Sequence, residues 1–318
     1  MRILVTGGLG FIGSNFINYI VQNSEYEIIN VDKCDYMARE HNVRDHPRYT
    51  YILCDITEHY HVRNIFREYR PELLIHFAAQ SCVTKSFDHA FQYTRDNVLG
   101  THVLLEAARE YGKLVKFIHI STDEVYGDAG PTETSWEISP LNPSNPYSAS
   151  KAAAELYVRA YTNCYNLPCI ITRGNNVFGP QQFPEKVVPL FITQIFEKNT
   201  ATIHGSGHTR RNFIYVDDVS RAVHAVLERG EIGATYNIGS QHEYSVLEIF
   251  EKLNKIIGTD ASPTFVNDPR PYNDSRYCID SSKLRDLAWT ETADFDGDLK
   301  KTVEWYRDHR SWYLFSGY

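Results

Sequence analysis

Apolar positions in the first half of the chain fall into short runs that stop at glycine or at polar residues. RILVT (2–6) comes first, and EIINV, YIL, LLIHFA, KFIHI and CIIT follow. Each has the length of a buried strand. Between them, around 11–22, 58–69, 89–111 and 147–163, apolar residues return every three or four positions, the period of an amphipathic helix. Strands alternating with helices predict a parallel sheet with right-handed crossovers, covered on both faces. Beyond Arg173 the rhythm changes to longer polar connections, with helices expected near 187–198, 217–229, 245–257 and 296–308. There NFIYV and ATYNIG read as strands that rejoin the sheet.

Composition narrows the classes. The chain has 318 residues, 42% hydrophobic and 23% charged, enough for one sizeable core or two unequal ones. A net charge of −8 with no Lys/Arg block gives no footprint for nucleic acid, although single arginines and helix N-termini can still hold a small anion. Cys34, Cys54, Cys82, Cys164, Cys169 and Cys278 form no C-x-x-C pair and have no histidine at zinc-ligand spacing, so reduced thiols, no metal and a cytoplasmic setting are expected. The first strand begins at Arg2 and no run of 18 apolar residues occurs, so neither an export signal nor a membrane span is expected.

The chemistry begins at GGLGFIG. Gly7, Gly10 and Gly13 follow the first strand and open the first helix. Glycines there let the backbone turn sharply and approach a pyrophosphate, which the helix N-terminus attracts. The second strand ends at Asp32, roughly 20 residues beyond Gly13, where a carboxylate accepts from both ribose hydroxyls and repels a 2′-phosphate. NAD is therefore expected rather than NADP. Asp55, after the third strand, is placed to reach the adenine edge, and Ala78 and Ala79, after the fourth, are small enough for a cofactor to pass. The fold expected is α/β: a Rossmann-type doubly wound parallel sheet over 1–175, with 211–240 rejoining it, and a smaller C-terminal substrate-binding lobe over most of 176–318.

Two further stretches carry reactive groups. In PYSASK, Tyr147 and Lys151 stand four apart at the start of a helix begun by Pro146. A phenol near pKa 10 is a poor base at neutrality, and lowering it about three units needs about 4 kcal/mol. An ammonium some 5 Å away supplies about 3 kcal/mol at an effective dielectric near 20, so a further positive charge is required. In STDEVYG, Ser121 and Thr122 precede two adjacent carboxylates, Asp123 and Glu124, at the end of a buried strand. Adjacent like charges with unequal burial let one act as base while the other keeps its proton.

The glycine turn, Asp32, the strand-end threonine and Y-x-x-x-K together resemble the extended short-chain dehydrogenase/reductases. With STDEVYG, NPYSASK, FGPQQFPEK and RRNFIYVDD, nearly the whole chain resembles the nucleotide-sugar 4,6-dehydratases acting on dTDP-glucose or UDP-glucose. The resemblance implies a hydro-lyase of deoxysugar biosynthesis, rhamnose formation included. In it Tyr147 deprotonates the C4 hydroxyl, Thr122 bonds that oxygen, Glu124 takes the C5 proton and Asp123 protonates the departing C6 hydroxyl. It extends the cofactor set to Phe11, Ile12, Ile56 and Ser121, with Tyr147 and Lys151. For the substrate it implies Gln80, Ser81, Asn176, Lys186, Arg211, Arg270 and Asn273, with Arg210 adjacent to Arg211, and a homodimer through the helices near 89–111 and 147–163. Where the family commonly reads A-A-[EQ]-[ST]-H-V-D, this chain has Cys82 for the histidine and Thr84 for the aspartate. Uracil and thymine differ by one methyl, about 1 kcal/mol of burial, and the reading leans to UDP-glucose. The alternatives are a 4-epimerase or related modifier, and a catalytically silent NAD-binding sensor.

Overall fold

The computed structural model describes residues 1–292 and 294–314. Its first half runs β1 (Arg2–Thr6), α1 (Phe11–Asn23), β2 (Glu27–Asp32), β3 (Tyr49–Leu53), α2 (His59–Tyr69), β4 (Leu73–His76), α3 (Val83–Asp88), α4 (Ala90–Tyr93), α5 (Gly100–Tyr111), β5 (Lys116–Thr122), α6 (Pro146–Tyr165) and β6 (Cys169–Gly174). The second half runs β7 (Asn176–Phe178), α7 (Val187–Lys198), β8 (Thr200–His204), β9 (Arg210–Tyr215), α8 (Val216–Arg229), β10 (Thr235–Ile238), β11 (Glu243–Ser245), α9 (Val246–Ile257), β12 (Ser262–Val266), α10 (Ser282–Arg285), α11 (Phe295–Asp308) and α12 (Arg310–Leu314).

Seven strands form one parallel sheet in the order β10-β6-β5-β4-β1-β2-β3. Successive side chains point to opposite faces, so each apolar run feeds two cores. Ile3, Val5, Ile28 and Ile75 pack under α1 and α8, whereas Leu4, Ile29, Val31 and Leu74 pack under α2, α5 and α6. A third core, built from α7, α9 and α11, holds the remaining lobe together. The strand order reverses between β1 and β4, the place where a doubly wound sheet opens a crevice at its carboxyl edge.

Two expectations need correction. ATYNIG does rejoin the large sheet, as edge strand β10, but NFIYV does not: β9 lies between β7 and β11 in a separate three-stranded sheet. The chain returns to the large sheet only with α8. The helix expected over 89–111 is interrupted by a π-helical segment, Thr94–Leu99. The wider turn buries two consecutive polar side chains, Asp96 and Asn97. Asn97 then clamps the segment after β4 to α6, accepting from the Gln80 N–H (2.7 Å) and donating to Gln80 O (3.0 Å) and Ser150 Oγ (2.8 Å).

One ion pair ties β6 to α6. Arg173 is fully buried and donates from Nε and Nη2 to the Glu155 carboxylate, at 3.0 and 2.6 Å, and from Nη1 to Tyr126 Oη at 2.7 Å. Each of the three guanidinium nitrogens donates to an acceptor, the kind of pairing under which a buried ion pair is tolerated.

Candidate active site

A cavity of about 340 Å³ runs along the carboxyl edge of the large sheet, lined from the glycine turn at one end to Asn176 and Lys186 at the other. Gly7 has φ +73° and packs against the Ala78 backbone, where a Cβ would lie 2.5 Å from the Ala78 nitrogen. At Gly13 a Cβ would meet the Gly7 carbonyl at 2.4 Å, so these glycines hold the turn tight against β4 and itself. Asp32 braces the same turn, its carboxylate accepting from the Leu9 N–H (2.9 Å) and the Cys34 N–H (2.8 Å). Burial raises its pKa, and those two bonds oppose the rise.

Phe11, Ile12, Asp55, Ile56, Ala78, Ala79, Gln80, Ser81 and Ser121 also line the cavity. Asp55 accepts from the Thr57 N–H and Oγ1, both at 2.9 Å, and lies near Lys33 and Arg95; against burial, the Thr57 bonds first and then the two charges hold its pKa down. Gln80 donates to both Asp35 (2.8 Å) and Asp96 (2.9 Å). The lining suits a dinucleotide. Ser121 Oγ is buried on the cavity wall with no hydrogen-bond partner among the described residues, and a bound polar ligand would satisfy it.

The reactive groups meet in the middle of this cleft. β5 ends at Thr122, whose Oγ1 accepts from the Glu124 N–H (3.3 Å) and so starts a 3₁₀ turn over Asp123–Tyr126. Asn145 and Ser148 form a capping box with Pro146 at the first helical position, which places Tyr147 in the first turn of α6. Thr122, Asp123, Glu124, Tyr147 and Lys151 all line the cavity.

Asp123 is 2% exposed; Thr122 Oγ1 donates to its Oδ1 (3.1 Å) and Asn175 Nδ2 to its Oδ2 (2.7 Å). Burial and the Glu124 charge outweigh these bonds and push its pKa up to about 7. Glu124 is only partly buried, and although burial raises its pKa, the Arg211 charge and a bond from Asn145 Nδ2 (3.2 Å) pull against the rise. Of the pair, Asp123 is thus the carboxyl whose titration burial and the neighbouring charge lift into the neutral range. Tyr147 is buried, its phenol raised well above the ordinary value by burial and the Glu124 charge, against a bond from Thr122. Lys151 Nζ donates to the Ile120 carbonyl (2.7 Å), and burial lowers its pKa to about 8.

The expected substrate residues divide. Asn176 and Lys186 line the cavity, with Lys186 Nζ donating to Ser81 O (2.7 Å) and so joining the lobe to the segment after β4. Arg211, Arg270 and Asn273 stand outside the lining as one linked cluster. Arg211 donates to Asn273 Oδ1 (3.0 Å), Asn273 Nδ2 to Asp268 (3.4 Å), and Arg270 pairs with both oxygens of Asp268 (2.8 and 2.7 Å). Arg210 turns away, toward Glu243 and Glu248. Neither departure from the family pattern reaches the cavity lining: Cys82 is buried at the start of α3 and Thr84 is exposed.

Asn175, Asn145, Tyr277 and Asp274 were missed by sequence reasoning. Asn145 was readable as a helix cap before Pro146, whereas Asn175 differs in no local signal from its neighbour Asn176, and nothing in the sequence links Tyr277 or Asp274 to Glu124.

Comparison with known proteins agrees with this geometry. Residues 4–302 match the GDP-mannose 4,6 dehydratase family. A dTDP-D-glucose 4,6-dehydratase of Mus musculus is 44% identical over 96% of this chain and 88% of its own length. A trifunctional UDP-glucose 4,6-dehydratase/UDP-4-keto-6-deoxy-D-glucose 3,5-epimerase/UDP-4-keto-L-rhamnose-reductase of Arabidopsis thaliana is 42% identical over 98% of this chain but 48% of its own length, so the chain spans about half of that relative. The crystal structure of a dTDP-glucose 4,6-dehydratase from Streptomyces venezuelae with NAD bound superposes with a TM-score of 0.95 at 36% identity, covering 100% of both chains. By sequence and by fold, the chain belongs to the GDP-mannose 4,6 dehydratase family, among the nucleotide-sugar 4,6-dehydratases of the extended short-chain dehydrogenase/reductase type.

Proposed function

We propose that this protein is an NAD-dependent nucleotide-glucose 4,6-dehydratase, a hydro-lyase that forms an NDP-4-keto-6-deoxy-glucose. The observation that carries the reading is the Asp123–Glu124 pair beside Thr122 and Tyr147, in which burial and the Glu124 charge lift the pKa of the Asp123 carboxyl to about 7 against the bond from Asn175. Cofactor contacts are assigned to the glycine turn with Phe11 and Ile12, to Asp32, Asp55, Ile56, Ala78, Ala79 and Ser121, and to Tyr147 and Lys151.

When bound, NAD supplies a two-electron acceptor and, after elimination, the matching donor, so the sugar changes with no net redox. Tyr147 Oη takes the C4 hydroxyl proton while Thr122 Oγ1 bonds the same oxygen. Lys151, fixed on the Ile120 carbonyl, keeps positive charge under that end of the cleft. The C4 carbonyl acidifies the C5 proton, which Glu124 takes, and Asp123 protonates the C6 hydroxyl so that water leaves. Gln80 and Ser81 face the sugar, Asn176 the diphosphate region and Lys186 the nucleotide; Arg211 and Arg270 hold the diphosphate, guanidinium groups suiting phosphate because they donate in pairs, and Asn273 contacts the nucleotide.

Residues 1–175 are assigned to the cofactor, with 211–240 contributing through α8 and β10, and 176–318 mainly to the nucleotide sugar. Homodimerisation through α5 and α6 is supported by apolar side chains left open around them, among them Phe91, Leu99, Leu156 and Tyr157. A cytoplasmic setting is supported by six free thiols. Among the described residues no helix is long and apolar enough to cross a membrane. The lean toward UDP-glucose gains no support, because relatives named for UDP-glucose and for dTDP-glucose match at similar identity.

Incubation with UDP-glucose and dTDP-glucose, followed by the absorbance that a 4-keto sugar develops in alkali, tests the reading. Keto product from either supports it; an epimerised sugar without keto product, or no turnover of either, defeats it. Tyr147→Phe is expected to abolish turnover, and a fully active variant would remove Tyr147 from its role.

A further inference from the structure

Next to Glu124 lies a set of hydroxyl and carboxyl groups that are not part of the cavity lining. Two side chains bond Glu124 Oε2: Asn145 Nδ2 at 3.2 Å and Tyr277 Oη at 3.4 Å. The asparagine offers only N–H groups there, whereas a phenol can give one proton and receive another. Tyr277 Oη also donates to Asp274 Oδ2 at 2.5 Å, and Ser144 Oγ donates to that same oxygen. Tyr277 and Asp274 are 4% and 1% exposed. Ser144, bonded to Asp274 Oδ2, is partly exposed, and the half-exposed Tyr272 feels the Asp274 charge, so the line Glu124–Tyr277–Asp274 ends beside side chains that reach the surface. Arg211 holds the line in place, its guanidinium 4.4 Å from the Tyr277 ring centroid and its Nη2 on the Asp274 carbonyl at 2.8 Å.

We propose that Tyr277 and Asp274 form a proton exit that drains to solvent the proton Glu124 takes from C5 and returns a solvent proton to C5. The proposal rests on the dehydratase reading and adds to it the fate of one proton. As the C5–H bond breaks, its electrons form the C5–C6 double bond, and the C6 oxygen leaves as water with the Asp123 proton. Glu124, now protonated at Oε2, donates to Tyr277 Oη while the phenol's own proton passes to Asp274 Oδ2 and on to water. When the double bond is reduced, the reverse transfer through Tyr277 and Glu124 protonates C5. Tyr277 and Asp274 touch no reacting atom and are positioning and relay residues. Burial and the charges of Glu124 and Asp274 hold the phenol neutral, as a relay that keeps its proton between transfers must be.

The experiment is turnover of protiated dTDP-glucose or UDP-glucose in D₂O, with early-time product trapped by borohydride and its C5 isotope read by mass spectrometry. Wild-type product is expected to carry deuterium at C5. Tyr277→Phe, which keeps the ring under Arg211 but cuts the line, is expected to return the substrate's own proton, raising the fraction of product with protium at C5 at least threefold. Asp274→Asn, an isostere that still accepts from the phenol but takes no proton, is expected to do the same and serves if Tyr277→Phe does not fold. Equal C5 deuterium in wild type and variant overturns the proposal, because a merely structural role slows turnover without changing the isotope partition. Failure of the wild type to make any keto sugar instead defeats the dehydratase reading.

Discussion

Replacing Asp123 by asparagine is expected to stabilise the protein in a pH-dependent way. A carboxyl whose pKa rises from about 3.8 to about 7 on folding penalises the native state. The sign follows from proton binding: between those values the folded form holds the proton that the unfolded form has lost, so stability falls as pH rises through the window. Below pH 3.8 there is no penalty; above pH 7 it is complete. At 1.36 kcal/mol per pKa unit it amounts to about 1 kcal/mol at pH 4.5 and about 4 kcal/mol at pH 8. Asparagine has the same shape, its carbonyl can accept from Asn175, and it carries no charge to desolvate. Urea unfolding of wild type and Asp123→Asn at pH 4.5, 6 and 8 reads the difference directly. The expected result is a variant more stable than wild type by about 1 kcal/mol at the lowest pH and by about 4 kcal/mol at the highest. A difference that stays constant across the three pH values would refute the argument that burial, with Glu124 beside it, holds the Asp123 proton. With the pH-dependent result, the site trades stability for an acid available at neutrality.

Two further outcomes follow from buried geometry. Glu155→Ala strands the Arg173 guanidinium in a site with no exposure, and is expected to cost about 3–5 kcal/mol in denaturant unfolding; a loss below 1 kcal/mol would mean the pocket admits water. Gly7→Ala forces a side chain into a left-handed backbone conformation and against the Ala78 backbone. It is expected to cost about 2 kcal/mol or more of stability and to weaken NAD binding in a fluorescence titration, with unchanged affinity as the contrary result.

Much of the fold was legible because its causes are short-range. The apolar runs of β1, β2, β4, β5 and β6, the glycine turn and the start of α6 at Asn145-Pro146 are each decided within a few residues by steric limits, burial pattern and capping. NFIYV shows where that stops. An apolar strand pattern says that a segment is half-buried but not which sheet takes it, and β9 went to the small one because β7 and β11 were there to pair with it. The π-helical segment was equally invisible, since its cause is the side chain of Asn97 meeting Gln80 and Ser150 from other elements.

The site divides along the same line. By itself the sequence determined which groups are available: Thr122, Asp123 and Glu124 at a strand end, Tyr147 and Lys151 on one turn of helix, and glycines ahead of an anion site. It could not determine which of two adjacent carboxyls keeps its proton. That depends on Asn175, 52 residues from Asp123, and on Asn145 and Tyr277, 21 and 153 residues from Glu124. Proton affinity is set by burial and by hydrogen bonds from whatever the fold brings within about 3 Å, and those distances exist only after the chain has closed on itself.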